Sequence, residues 1–510
     1  MNLSKSRYCK GIQCPKILWL DEHKSEERDD SALNQMVLET GSRVGDLAME
    51  YFGAYTEVPY SDDKTFMLGE TQRLLDAKTE TICEAAFSQK GNFCIVDILR
   101  VFKDSVAIVE VKSSTGIYPI HYDDIAFQYY VLNSCGLNVT KVSIMHIDNS
   151  YERQGELDLN KLFAVHDCTE KVLSMQADVA ANILRFKESV KAENEPEVDI
   201  GDQCSNPYEC PYCSYCWRHI PENNIFEISG HGLRSNKKLS LYRRGIVSFE
   251  QLLESGEELS EIARLQVETR VYKRPPTVDK EGIRAFLDTL SWPLYFLDFE
   301  SFQEAIPPFS GLRPYVQVPF QYSLHIQEAP GMEARHREFL AEEGTDPRRC
   351  IAERLCADIP ENVCVLAYFM GFEKSRIKEL AGFVDSQAGF IDSLVGSSTD
   401  LARHLMCIHD NIRDLMKPFQ SRAYYSDELG GSYSIKQVLP ALFPDDPELD
   451  YHALDLIHDG GDAQAAYAQL PGQNPEERRR TKAALLAYCR LDTLAMVKIL
   501  GKLQEMVKIK

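Results

Sequence analysis

The chain has 510 residues, 44% hydrophobic and 26% charged, with a formal net charge of -22. That is the composition of a folded protein, and the length exceeds what one core ordinarily organises, so two or three domains are expected. The acidity excludes a protein that coats nucleic acid through overall charge, and leaves open local basic grooves beside acidic metal sites.

No run of 18 or more apolar residues occurs, and the opening MNLSKSRYCKGIQCPK lacks the apolar core of a signal peptide, so no membrane association and a cytoplasmic location are expected. In such a compartment fifteen cysteines, four of them between Cys204 and Cys216, point to metal binding and not to a disulfide framework. Basic groups at Lys5, Arg7, Lys10 and Lys16, at 234–244 and at Arg478–Arg480 read as solvated faces.

In chain order, Cys14 precedes a short apolar run. Residues 35–52 read as a helix pair or a helix bent around Gly41 and Gly45, 58–66 as a loop, 70–77 as a helix and 81–87 as a strand carrying Glu84. The stretch FCIVDILRVFKDSVAIVEVKSS predicts a β-hairpin, with strands at 95–102 and 106–111 around the turn residues Lys103, Asp104 and Ser105. A helix over 122–132 carries Gln128, and a strand follows at 142–147.

The hairpin holds three polar residues that it does not need for folding. Period two puts Glu110 and Lys112 on one face, and a turn at Asp104 and Ser105 would set Asp97 opposite Lys112 and diagonal to Glu110. Carboxylates gathered among apolar residues repel one another unless a cation pairs with them. Asp97 and Glu110 suit the oxygen shell of Mg²⁺ or Mn²⁺, and Lys112 suits an attacking water or a phosphorane charge. A salt-bridged hairpin edge is the plain alternative.

The order strand with Asp, strand with Glu-x-Lys, then helix with Gln resembles the PD-(D/E)XK nuclease superfamily and, within it, the RecB-like exonucleases. That resemblance implies Asp97 and Glu110 as metal ligands, Lys112 as the catalytic lysine, Gln128 in contact with the site and Glu84 as an accessory acid. The upstream histidine of that family has no counterpart in GDLAMEYF. A long helix is expected over 169–192, and then an acidic linker leads to CSNPYECPYCSYCW. Cys204, Cys210, Cys213 and Cys216 could bind zinc locally. RecB-like exonucleases of the AddB and CRISPR-adaptation types carry one cysteine before the nuclease core and three after it. The resemblance therefore implies a structural 4Fe–4S cluster on Cys14, Cys204, Cys210 and Cys216, with Cys213 as a substitute.

Residues 223–289 have the character of short amphipathic helices. The stretch LSLYRRGIVSFEQLLES resembles a helix-hairpin-helix, which grips phosphates through turn amides, or is a plain helical connector. Beyond Trp292 and Pro293, PLYFLDFESF predicts a strand with Asp298 and Glu300 on one face. Strands at 316–326 and 363–368, a helix over 347–355, another after Glu373, and a long helix over 478–503 complete an α/β pattern. Tyr488 and Asp492 share a face of that last helix.

This order resembles the DnaQ-like, or DEDD, exonucleases of the ribonuclease H fold. The resemblance implies Asp298, Glu300, Glu373 and Asp492 as ligands of two metals about 4 Å apart, with Tyr488 positioning the water. Asp414 is a further candidate acid. The second motif departs from that family's pattern, because Phe369 stands where an asparagine is usual. Nearly the whole chain resembles a bacterial family of RecB-like proteins with a DnaQ-like tail.

The expectation is thus an α/β protein with a PD-(D/E)XK domain at 1–220, a helical connector at 221–290 and a ribonuclease H-like domain at 291–510. It would be a metal-dependent nuclease acting on DNA with single-stranded ends, in repair, recombination or defence. RNA processing is one alternative, and a nucleic-acid-binding scaffold with reduced catalysis is another.

Overall fold

The computed structural model describes residues 3–31, 35–230, 232–386 and 398–508. Two compact units emerge: Met1–His219 with Glu304–Val316, and Ile220–Gln303 with Gln317–Lys510. Among the described residues no helix is long and apolar enough to cross a membrane.

The first unit is built on a mixed seven-stranded sheet of β1 (Leu3–Ser4), β2 (Thr56–Glu57), β3 (Thr81–Gln89), β4 (Asn92–Val101), β5 (Val106–Lys112), β6 (Val139–Ile147) and β7 (Phe163–Asp167). The order is β2-β3-β4-β5-β6-β7, with β1 added parallel to the start of β4. β3, β4 and β5 form an antiparallel meander, and β6 then returns parallel to β5 through the helix Pro119–Ser134. Ile125, Phe127 and Val131 of that helix pack with Ile82, Val96, Leu99 and Ile108 into a buried core. Residues 304–316 contribute Ala305 to a second apolar cluster with Val44, Ile98 and Val109.

Several boundaries differ from expectation for local reasons. Residues 35–49 form one helix in spite of two glycines, and only Glu50–Phe52 tightens into a 3₁₀ turn. The loop expected to 66 ends at Asp63, whose carboxylate accepts from Thr65 N and starts a helix at Lys64. The helix expected over 169–192 is two, Thr169–Ser174 and Gln176–Lys191, broken at Met175.

In the second unit, short helices at Ser235–Arg243, Phe249–Glu254 and Glu261–Val271 surround a small core of Ile225, Leu241, Phe249 and Val267. Its strands are β8 (Thr277–Val278), β9 (Leu294–Phe302), β10 (Val318–Gln327), β11 (Arg335–Leu340), β12 (Cys364–Ala367), β13 (Ile412–Asp414) and β14 (Tyr424–Tyr425). The central sheet runs β11-β10-β9-β12-β13; its first two junctions are antiparallel and its last two parallel.

Alternation along β9 covers both faces of that sheet. Leu294 and Phe296 meet Leu491, Ala495 and Met496 of the 33-residue helix Pro475–Val507. Tyr295, Leu297 and Phe299 meet Ile351, Leu355, Ile377 and Leu405 from the helices on the other side. Continuing the first face, Asp298 and Glu300 point toward the long helix.

Candidate active sites

The first cluster forms where β4 and β5 part. The hairpin pairs Ile98 with Val109 and Val101 with Val106. It closes through Phe102–Ser105, where Phe102 N donates to Ser105 O at 2.9 Å. This corrects the predicted register: extended by one step, the ladder sets Asp97 opposite Glu110 and not opposite Lys112. A tight turn centred on Asp104-Ser105 would favour left-handed backbone that this pair, lacking glycine, adopts poorly; the hairpin instead turns at Lys103 and Asp104, one step earlier and without a positive φ. The shift is by two, so all three side chains keep one face.

Asp97 Oδ2 accepts from Val111 N at 2.7 Å, which fixes the carboxylate at the fork of the strands. Glu110 is buried, and its Oε1 receives Lys112 Nζ at 2.6 Å and Lys5 Nζ at 2.8 Å. Its Oε2 accepts from Gln128 Nε2 at 2.6 Å, and the same Gln128 nitrogen reaches Asp124 Oδ1 at 3.0 Å. Lys112 Nζ also contacts Asp124 Oδ2 at 2.6 Å. Asp97, Glu110, Lys112 and Gln128 are therefore brought together as expected.

Lys5 and Asp124 belong to the cluster without having been singled out for it. Asp124 lies one helical turn before Gln128, a spacing that could have revealed it. Lys5 stood in a basic group read as a solvated face, and no local pattern marks it.

Burial opposes charge on Glu110, yet the ammoniums of Lys112 and Lys5 prevail and hold it well below the usual carboxylate range. Burial and the Glu110 charge push Asp97 up, beyond what the lysines offset. Burial likewise raises Glu84 to about 7. Glu84 also has a backbone φ of 56°, a left-handed conformation that glutamate seldom adopts. Asp97, Glu110 and Asp124 offer the hard oxygen donors that Mg²⁺ or Mn²⁺ takes, spread around two ammoniums.

The second cluster joins β9 to the long helix. Single ligand atoms of Asp298, Glu300 and Cys489 all lie within 4.8 Å of one another. Cys489 Sγ is 3.6 Å from Asp298 Oδ2, a contact the sequence reading had not foreseen. Burial, then Asp492, pushes Glu300 up to about 8; burial, with Asp414 adding to it, does the same for Glu373. Asp298 is raised by burial and by the charges of Asp492, Glu300 and Glu373, so these four acids share one field. Glu373 Oε2 is buried without a hydrogen-bond partner, as a carboxylate aimed at a cation would be.

Asp492 Oδ1 accepts from Tyr451 Oη at 2.6 Å, and burial still lifts it to about 6. Tyr488 is buried beside it, its ring 6.2 Å from that of Tyr451. The Lys436 ammonium lies 5.7 Å from the Tyr488 ring and 5.8 Å from that of Tyr451, and donates to His458 O at 2.8 Å. Its charge favours ionised Glu300 and Asp492. Tyr451 and Lys436 were not anticipated, since only the fold brings them there. Asp414, whose charge reaches Glu373, uses one oxygen to hold a turn: its Oδ1 accepts from Phe369 N and Met416 N, each at 3.0 Å. Phe369 is exposed with φ 66° at the turn so held.

Cys14, Cys204, Cys210, Cys213 and Cys216 line one pocket with Lys16, Ile17 and Tyr212. Cys14 closes one helix and opens the next, while Cys210 N donates to Cys204 O at 2.8 Å. Burial pushes the thiols of Cys14, Cys210, Cys213 and Cys216 up. Thiols drawn from both ends of the unit into one pocket are a donor set for a soft metal centre.

In the connector, the basic residues mostly serve the fold. Lys237 and Arg244 both pair with Glu257, and Lys238 Nζ donates to Phe226 O at 2.8 Å and Ile228 O at 2.6 Å. Near the C-terminus, Arg478 pairs with Glu343 and Arg480 with Asp455.

Residues 295–434 match a family described as a domain of unknown function, DUF2779. The matched segment contains Asp298, Glu300, Glu373 and Asp414. No curated protein matches the chain.

Proposed function

We propose that the chain is a metal-dependent nuclease with two hydrolytic sites, a PD-(D/E)XK site of RecB-like type in the first unit and a DEDD site on a ribonuclease H-like sheet in the second. The observation that carries this reading is the gathering of Asp97, Glu110 and Asp124, from three separate elements, with Lys5, Lys112 and Gln128 among them. A fold has no need of three carboxylates at one strand fork, whereas phosphodiester hydrolysis needs charge there. The sheet order β11-β10-β9-β12-β13, with its acids on the first strand and the last long helix, supports the second half of the reading.

A bound divalent cation would supply a polarised water and a counter-charge for the phosphate. The chain's own groups prepare for it. The lysines favour charge on Glu110, the Val111 amide holds one oxygen of Asp97, and Gln128 holds Glu110 Oε2. Lys112 is placed to hold a water or a phosphate oxygen. In the second site Asp298, Glu300, Glu373 and Asp492 would hold metal, Tyr488 would orient water, and Lys436 would offset charge developing at the rim.

The substrate in this proposal is DNA with single-stranded ends, with RNA as the competing class. The pocket of five cysteines would hold a structural 4Fe–4S cluster. Zinc on the same thiols is the alternative. A scaffold with reduced catalysis is supported by Phe369 in place of the expected asparagine and by the net charge of -22.

Incubating the full chain with Mn²⁺ and end-labelled single-stranded DNA, duplex DNA and RNA tests the proposal. Shortening of the single-stranded DNA first is the expected result. Preference for RNA would move the substrate class, and no shortening of any of the three would favour the scaffold.

A further inference from the structure

Of the groups around the first cluster, Lys5 is the one for which the proposed hydrolysis has no task. Its position is nonetheless built from two directions. Leu3 is fully buried, pairs with Asn92 on β4, and donates its amide to Gly91 O at 2.8 Å. Ser4 sits beside Phe93, and its Oγ accepts from Arg7 N at 3.3 Å to cap the helix Lys5–Gln13. Lys5 is thus the first residue of a helix whose start is pinned by a strand, and its side chain runs into the carboxylates.

Lys5 Nζ lies 2.8 Å from Glu110 Oε1, 3.7 Å from Asp124 Oδ1 and 3.8 Å from Asp97 Oδ1. These oxygens come from β5, the helix Pro119–Ser134 and β4 and stand around the ammonium more than 4.8 Å across, so a hard cation ligated by them would draw them inward, to about 2.0–2.2 Å from itself, into the place the ammonium fills. An ammonium and a divalent ion cannot both fill it. Lys112 shares Glu110 Oε1 with Lys5 but meets Asp124 through its other oxygen, Oδ2, at 2.6 Å.

We propose that Lys5 is a resident counter-ion that holds the place of the divalent cation in the free protein and must be displaced for metal to bind. The inference rests on the reading of Asp97 and Glu110 as metal ligands. With Lys5 and Lys112 both in place, two positive charges already balance most of the carboxylate charge, so a divalent ion meets a nearly neutral cage. The Lys5 side chain is 25% exposed, and its flexible stem gives it a route to water. Metal loading of this site is therefore a competition between two cations for the same oxygens.

The test is Mn²⁺ binding to the full chain without nucleic acid, read from the electron paramagnetic resonance signal of free Mn²⁺. The second site is silenced in every protein by Asp298→Asn and Asp492→Asn. Lys5→Met is expected to bind Mn²⁺ at least tenfold more tightly than its parent. Lys5→Arg, which keeps the charge, is expected to bind as weakly as the parent. Melting curves give a second readout, with Mn²⁺ raising the Tm of Lys5→Met more than that of the parent; Lys5→Gln replaces Lys5→Met if the latter does not fold. Equal or weaker binding by Lys5→Met, still abolished by Asp97→Asn, would overturn the place-holder and leave the ligands standing. Mn²⁺ binding unaffected by Asp97→Asn and Glu110→Gln would overturn the metal-site reading itself, and the place-holder with it.

Discussion

Glu110 and Asp97 face the same lysines and end in opposite states. Glu110 touches both ammoniums, whereas Asp97 meets only Lys5, at 3.8 Å, and leans on the Val111 amide. The charge is concentrated on Glu110, and Lys112 is the group that keeps it there. Lys112→Ala is expected to slow single-turnover cleavage at the first site by about 10²-fold or more, the range for a positioned proton-transfer or charge-stabilising group. Lys112→Arg should not restore it, because the larger planar guanidinium does not place its charge where the compact ammonium stands, 2.6 Å from both Glu110 and Asp124. The second site makes a prediction about pH. Glu300 and Glu373 are raised to about 8, against roughly 4.3 for glutamate in an unfolded chain. Groups raised in the folded state contribute stability below the unfolded value and lose it as pH rises through the folded one. The Tm of metal-free protein should therefore fall between about pH 5 and pH 8. Glu300→Gln should raise the Tm at pH 8 more than at pH 5 and reduce stabilisation by Mn²⁺; a pH-independent effect of the substitution would contradict the shared field. Asp97, Glu110, Lys112 and Gln128 were legible because each lies on a regular element whose period can be counted. Lys5, Tyr451 and Lys436 were not, since only tertiary folding brings them to the acids.

Strands and helices fix these groups with different tolerances. The β4–β5 hairpin was legible as a hairpin and its register was not, because the position of the turn depends on backbone torsions that composition constrains weakly. The error was harmless to the site only because it was an even number of residues. The long helix was legible from its spacing and begins three residues earlier than expected, at Pro475, where Asn474 and Glu477 form a capping box. On β9 the face that carries Asp298 and Glu300 also carries Phe296, which is fully buried against that helix. Phe296→Ala is expected to destabilise the second unit by about 3–5 kcal/mol. A lowered urea midpoint for the transition of that unit would show it, and an unchanged midpoint would mean that the sheet and helix are not packed through this residue.

At the scale of the whole chain, the mixed α/β character was legible in the alternation of strand and helix patterns. The inclusion of residues 304–316 in the first compact unit was not, because a segment's partners in space leave no mark on its own composition. The cysteines are a whole-unit feature in the same sense, since Cys14 and the group at 204–216 reach one pocket from opposite ends of the unit's main segment. Anaerobically purified protein is expected to contain iron and to absorb near about 400 nm, as thiolate-bound clusters do. Cys14→Ala should lose both, whereas zinc without iron would contradict the cluster. The central claim, that the chain hydrolyses nucleic acid at these two centres, is tested most directly by cleavage of end-labelled single-stranded DNA with Mn²⁺. The proteins compared are the unaltered chain, Lys112→Ala, Asp298→Ala and the double variant. The account predicts cleavage by the unaltered chain, a partial loss or altered product pattern in each single variant, and none in the double variant. Cleavage by the double variant at the rate of the unaltered chain would contradict it.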